Sequence, residues 1–541
     1  MIFTLLTACM GLLNGQTVDS VAIRQVDSLI KVSRSFTEKK EFESALEINT
    51  VAEKIILKKF GKESAQYGNC AFNRGKVNSF KGDYLEAEKW YLESKAICER
   101  VLGKEHPDYA KILISMGILY EDVGKFEQSE QFYLEARGLL SKLYGKNDLR
   151  YAGNLNNLGL LYKSMGRYEE AELILVEQKT IVEKVFGTDH PDYPTSLISL
   201  ANLYMKMGFY EKAEKLYLEA ETIDEKTFGK DHPNYAITLF NIGLLYKSMG
   251  NFVKAEEFLL NAIAIDEKTI GKDHLDYAND LGGLANLYYS LGNYEKSELL
   301  NLEIKKIVQK KLGIENPFYA SILHNLANIY AIIGNFEKAE QIYLESISIR
   351  KKILGKSHPD YAVSLSNLGL LYFDMQEYEK AEPLYLEAKV IQEAVLGKEL
   401  PDYAYTLNNL SRLFELQNRF SESDSLLNEA FQLEQKRLVH AADFLSEKEL
   451  AQYAITFQKS GGNLGSYLLG RQKVKAETEM LPSLAYDQNL FYKNFLLKAG
   501  SQMNLLSKSS KESMDISLRL KEYRYRLAAE YSKPIADRKN V

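Results

Sequence analysis

The chain has 541 residues, 45% of them apolar and 26% charged, with a formal net charge of −6. That length would make two to four globular domains unless a repeat array occupies it, and the acidic balance excludes a general nucleic-acid binder, which needs a basic face. Three cysteines, Cys9, Cys70 and Cys98, supply neither a disulfide framework nor paired metal-ligand spacing, and no cofactor is implied.

The first sixteen residues, MIFTLLTACMGLLNGQ, are apolar and uncharged. They are too short for a membrane-spanning helix, which needs about 20 residues, and no other segment is apolar enough to cross. They read as the hydrophobic stretch and exit of a secretory signal peptide lacking its positive start. Leu6-Thr7-Ala8-Cys9 also matches a lipoprotein-processing box, in which Cys9 would carry the lipid anchor. Both readings favour an exported, periplasmic or envelope location over the cytoplasm. A frayed apolar start to the first helix is the alternative.

From residue 17 to 437 a period of 42 residues governs the chain. Landmark glycines stand at Gly61, Gly103, Gly145, Gly187, Gly229, Gly271, Gly313, Gly355 and Gly397. A second register holds Gly82, Gly124, Gly166, Gly208, Gly250, Gly292 and Gly334, with Lys40, Gln376 and Asn418 at the same phase. Two residues after each of these comes an aromatic, from Phe42 to Phe420, and three further on a small residue, from Ala45 through Ser129 and Ser297 to Ser423. Each unit reads as two helices. In YAITLFNIGLLYKSMG (235–250) apolar residues recur at spacings of three and four, and Gly250 ends the helix. The second helix, 251–270, is about 20 residues or roughly 30 Å long. Gly243 and Ala255 allow close approach, with Tyr246 and Phe252 filling the remainder. No strand alternation competes, so the array is all-α.

The loop GKDHPNYA (229–236) and its copies could be taken for a metal site. A simpler reading follows from Pro233, which is favoured at the first helical position. The residue before it is then the N-cap. Across units that place holds Ser64, His106, Asp148, His190, His232, His274, Asn316, His358 and Leu400. Good capping residues replace histidine, and no second ligand lies nearby, so no metal is expected. The acids after the proline suit the positive helix start. Glu–Lys pairs at helical spacing, as in YEKAEKLYLEAETIDEK, read as a solvated face.

The 42-residue unit, with its GK-x-HPD loop and LNNLG or LANLY first helix, resembles the kinesin-light-chain type of tetratricopeptide repeat. The resemblance spans about residues 20–437, ten helix pairs. It implies a right-handed superhelical solenoid whose first helices line a concave groove, a binding surface for a protein or peptide. In that family the groove is read by non-packing positions of the first helix. Two residues before the small packing residue stand Asn157, Asn241, Asn325, Asn367 and Asn409, and one after it Asn202, Asn286 and Asn328. Asparagine is a mediocre helix former, so its recurrence needs a reason. These amides either hydrogen-bond an extended peptide or bond neighbouring helices and set the register. Lys163 and Lys247, at matching phase, could receive acidic groups of a partner.

After Leu438 the period stops. Ser446–Glu449 is a capping box, SGGNLG (460–465) a break, Pro482 a new helix start, and 507–514 a linker. Residues 438–541 would thus form a helical segment that closes the array. FLSEKELAQY, LAYDQNLFYKNFLL and LKEYRYRLAAEYSKPIADR look like the segment joining the repeats to a CHAT domain, a caspase-like protease, in bacterial TPR–CHAT proteins. No Cys follows Cys98 and no His follows His440, so a His–Cys pair cannot be built from this tail. The expectation is a non-enzymatic, peptide-binding scaffold, or alternatively the sensor portion of a truncated or split CHAT system.

Overall fold

The computed structural model describes residues 18–398, 401–442, 467, 471 and 482–488. The sixteen-residue leader with Cys9, Leu400, the capping box, the 460–465 break, the linker and most of the CHAT-like stretches lie outside them. Helices alternate in pairs: α1 (Val18–Glu38) with α2 (Phe42–Lys59), α3 (Ala65–Lys81) with α4 (Tyr84–Val101), α5 (Pro107–Asp122) with α6 (Phe126–Tyr144), and α7 (Leu149–Ser164) with α8 (Tyr168–Phe186). They continue as α9 (Tyr193–Lys206), α10 (Tyr210–Phe228), α11 (Pro233–Ser248), α12 (Phe252–Thr269), α13 (Leu275–Ser290) and α14 (Tyr294–Leu312). The series closes with α15 (Pro317–Ile332), α16 (Phe336–Ile353), α17 (Pro359–Asp374), α18 (Tyr378–Leu396), α19 (Pro401–Leu416) and α20 (Phe420–Ala442). Two compact units divide the described residues: unit 1 holds those up to Leu200 and Tyr217–Tyr361, unit 2 holds Ala201–Leu216 and those from Ala362 onward.

Each pair is held by the small residues. Those of the second helix, from Ala45 to Ser423, are all 0–1% exposed. Opposite them, a methyl added at Gly117 would stand 2.5 Å from the Tyr133 ring, and one at Gly243 2.7 Å from Leu259. At two of the serines that replace alanine the hydroxyl uses the proximity: Ser129 donates to the Gly117 carbonyl at 2.7 Å and Ser297 to that of Ala285 at 2.9 Å. The turn between paired helices is equally constrained. At Gly250 φ is +75° and Asn251 N–H closes on the Tyr246 carbonyl at 2.8 Å, the αL ending that favours glycine. Lys40, Gln376 and Asn418 adopt the same backbone, with φ of 58°, 63° and 60°.

The N-caps are as the proline position implies. The Nδ1 of His106, His232, His274 and His358 accepts the N–H two residues on at 3.0–3.2 Å, and Asp148 and Asn316 do so at 2.8 Å through carboxylate or amide oxygen. His190 also accepts from Asp192, but α9 starts only at Tyr193. Pro194 lacks the N–H that elsewhere bonds the cap carbonyl, as Ala236 does to His232 at 3.2 Å.

Repeats join through buried positions fourteen residues apart. Thr238 donates to Asp224 at 2.6 Å. One repeat on, the same positions carry Asp266 and Asp280, 4% and 5% exposed, each with one carboxylate oxygen lacking any hydrogen-bond partner among the described residues. Burial, with Asp266 and Asp276 adding repulsion, pushes Asp280 up to about 8. Burial pushes Asp266 up to about 6. On the outside, ion pairs form within helices, as Lys89 with Glu86 and Lys179 with Glu183, and across the end of a helix pair, where the loop acid meets a cation 37 residues later: Glu63 with Arg100, Asp189 with Lys226, Asp273 with Lys310. Each of the latter is exposed, so water screens most of its attraction. The tyrosines at first-helix ends bury their rings and donate to a glutamate of the preceding repeat, Tyr162 to Glu130 at 2.8 Å and Tyr288 to Glu256 at 2.7 Å.

In unit 2 the last pair has a buried partner from beyond α20. Arg471, 1% exposed, donates to Glu415 at 2.9 and 2.8 Å and to Asp424 at 2.7 Å, with its guanidinium over the Phe420 ring. Asp424 is the counterpart of Glu382, which Arg419 of the next repeat serves at 2.6 Å. Arg471 thus supplies the arginine that a following repeat would have brought. Residues 482–488 are helical, starting at Pro482. Among the described residues no helix is long and apolar enough to cross a membrane.

Replacing Gly117 by Leu forces the α5–α6 pair apart, and urea unfolding should show a loss of about 2 kcal/mol; an unchanged midpoint would remove close approach as the constraint. The Asp280 carboxyl keeps its proton up to about 8 when folded but loses it near ~4 when unfolded. The folded chain therefore binds more protons in that window, and this group's contribution is lost as pH rises through it. Asp280→Asn should be more stable than wild type by ~2 kcal/mol at high pH, with the difference vanishing toward the acid end of the window, read from melting curves across that range.

Candidate peptide-binding face

First helices of successive repeats approach one another directly in unit 1, α1 with α3, α3 with α5, α5 with α7 and α11 with α13, more closely than the second helices do. The tighter side of a curved stack is its concave side, so the first helices carry the inner face.

Asn157, Asn241, Asn325, Asn328 and both lysines, Lys163 and Lys247, lie in unit 1 and are half-buried, whereas Asn286 is exposed. Asn202, Asn367 and Asn409 lie in unit 2, also half-buried. Their side chains are used differently. Asn241 Nδ2 donates to the Ile237 carbonyl of its own helix at 2.8 Å, and Asn328 Oδ1 accepts from Tyr343 of the paired helix; both are satisfied internally. Asn202 and Asn367 also have partners within the fold. Asn157, Asn286 and Asn325 have no side-chain partner among the described residues, and Asn409 Nδ2 is buried without one.

A sixth asparagine at the phase of Asn157 and Asn325 escapes the sequence pattern because its repeat lacks the LNNLG motif. Asn73, two positions before Gly75, is 1% exposed. Its Nδ2 donates to Asn49 at 3.1 Å and Ser33 at 2.9 Å, and its Oδ1 accepts from Arg34 at 3.3 Å. Helix α1 covers this amide and completes its hydrogen bonds.

The two lysines separate in the same way. Lys163 faces Glu121, a carboxyl that burial and the neighbouring Asp122 hold up to about 7 while Lys163, Tyr133 and Ser164 pull it down. Lys247 has no ion-pair partner among the described residues, and burial holds its ammonium below the ordinary lysine range. A cation that burial penalises is one whose charge a ligand carboxylate would favour.

Tetratricopeptide repeat models match residues 67–142, 192–268, 241–310, 318–388 and 360–436, and also 155–192. No curated protein matches the sequence. Among solved structures, BtubC (BKLC) from P. vanneervenii is 23% identical with a TM-score of 0.36, covering 43% of this chain and 93% of that one. A kinesin-light-chain-type protein with nearly identical TPR-like repeats from Podospora anserina is 25% identical with a TM-score of 0.33, covering 38% and 97%. A Rap protein complexed with competence and sporulation factor is 13% identical with a TM-score of 0.46, covering 69% and 99%. With its 42-residue helix pairs matched over most of their length, the chain belongs to the tetratricopeptide repeat family.

Proposed function

We propose that this chain is a protein-binding scaffold that takes an extended, acidic peptide segment against the first helices of unit 1. The observation that carries this reading is the pairing of unsatisfied amides with an unpaired cation: Asn157 and Asn325 lack partners among the described residues, and so does half-buried Lys247. A half-buried amide that no side chain of the fold reaches is open to a ligand's hydrogen bonds, whereas Asn73 is held by Ser33, Arg34 and Asn49. An extended backbone offers the alternating donors and acceptors that a carboxamide uses in both directions. A carboxylate on the peptide would restore the full basicity of Lys247. In unit 2, Asn409 would serve in the same role, while Asn202 and Asn367, which have partners within the fold, would position neighbours. The satisfied residues, Asn241, Asn328 and Lys163, would position neighbours more than they bind; Asn286 would sit at the rim.

Selection of a random-peptide library on the wild-type chain tests this. Enriched sequences should be acidic and unstructured, and their affinity should fall about tenfold or more for Lys247→Ala and several-fold for Asn325→Ala, in line with loss of one charge-assisted and one neutral hydrogen bond. Peptides that bind both variants as well as wild type would sink the reading.

A further inference from the structure

Two contacts and one charge interaction in unit 1 join residues far apart in sequence at one repeated offset. Lys40 and His274 feel each other's charge, Asn316 Nδ2 donates to the Lys81 carbonyl at 2.9 Å beside Gly82, and His358 Nε2 meets the Asp122 carbonyl at 3.2 Å beside Gly124. The offsets 274 − 40, 316 − 82 and 358 − 124 are each 234 residues, about five and a half repeats of 42. Leu312 adds an apolar contact against the cluster of Phe42, Ala45 and Val77. One turn of the unit 1 array therefore rests on the turn before it.

Both bonds are made by N-cap side chains working from two ends. Asn316 accepts Phe318 N–H through Oδ1 while Nδ2 reaches Lys81. His358 accepts Asp360 N–H through Nδ1 while Nε2 reaches Asp122. Lys81 and Asp122 are the last residues of α3 and α5, so the bonds go to carbonyls left open at helix ends. Serine or aspartate caps the helix in other repeats but has no second-end donor to spare. Proximity is tight: a methyl at Gly124 would stand 2.9 Å from both His358 and Pro359. Two hydrogen bonds and one leucine contact are nonetheless little beside the continuous packing between stacked repeats, and elements held by few contacts open first.

We propose that this seam is a latch on the flank of the unit 1 binding face, shut in the free chain and released to admit a partner. The latch rests on the peptide-binding reading, but its mechanical part is testable alone. Spin labels at Glu127→Cys and Lys356→Cys, both exposed, in a chain with Cys9, Cys70 and Cys98 replaced, report the seam distance. Wild type should give one short, narrow distribution. Asn316→Asp with His358→Asp keeps both caps, as Asp148 does, but removes both seam donors; the distribution should lengthen and broaden. His232→Asp, at a cap that makes no seam bond among the described residues, should leave it unchanged. Gly124→Ala, which blocks the same contact sterically, should behave as the double variant. Gating is read at Asn325→Cys: a polymer-coupled maleimide should react at least tenfold more slowly than a small one with the seam intact, and the ratio should collapse in the double variant. A broad distribution in wild type overturns the seam, and a ratio indifferent to seam opening overturns the latch. A working latch in a chain that selects no peptide would instead overturn the peptide reading.

Discussion

The structure depends on how closely two helices can approach within a repeat. At the crossing, one helix presents Gly117, Gly243 or a similarly small residue and the other a residue that is nowhere more than 1% exposed, from Ala45 to Ser423. With nothing larger than a methyl group on one side, a tyrosine or leucine of the partner lies directly over the backbone. Within unit 1, because the pairs are fixed at nearly the same separation, neighbouring pairs stack in nearly the same way, and small rotations accumulate into a regular curve. The common offset of 234 residues between contacting turns of unit 1 is the consequence: a turn can land on the one before only if the rotation per repeat is uniform.

Polar side chains at recurring positions then take whatever role their surroundings allow. Asn73 is bonded on three sides by Ser33, Arg34 and Asn49, and at Asn157, 84 residues on, the same positions hold Gly117, Ile118 and Tyr133, which offer its amide no side-chain partner. Thr238 satisfies Asp224, whereas Asp280 in the same place faces Asp266. Lys163 finds Glu121 across the repeat and Lys247 finds no acid. The repeat sets where a side chain projects; the neighbouring repeats decide whether it is satisfied.

Much of the fold was legible in the residues. The period, the two-helix unit and the αL turns follow from local chemistry, and Lys40, Gln376 and Asn418 have left-handed backbones because the turn requires one whatever residue stands there. The cap histidines were legible because Pro follows all of them but His274 and because serine, aspartate and asparagine replace them. Local ion pairs at helical spacing are present, as Lys89 with Glu86 and Lys179 with Glu183, but the pairs 37 residues apart were not legible, since they depend on the antiparallel pairing that brings the start of one helix beside the end of the next. The asparagines were recognisable as a set, but not which of them would be free, since that depends on side chains of other repeats.

By itself, then, the sequence determined the helices, their ends, their pairing and the phase at which polar groups meet the inner face, because each of these is settled by contacts within one repeat. Only the tertiary structure decided that Asn316 and His358 reach carbonyls of the preceding turn, that Arg471 closes the acids of the last pair, and that Lys247 has no counter-ion where Lys163 has one. Those outcomes depend on the rotation accumulated over several repeats, a quantity to which every junction contributes a little and no single motif contributes enough to be read.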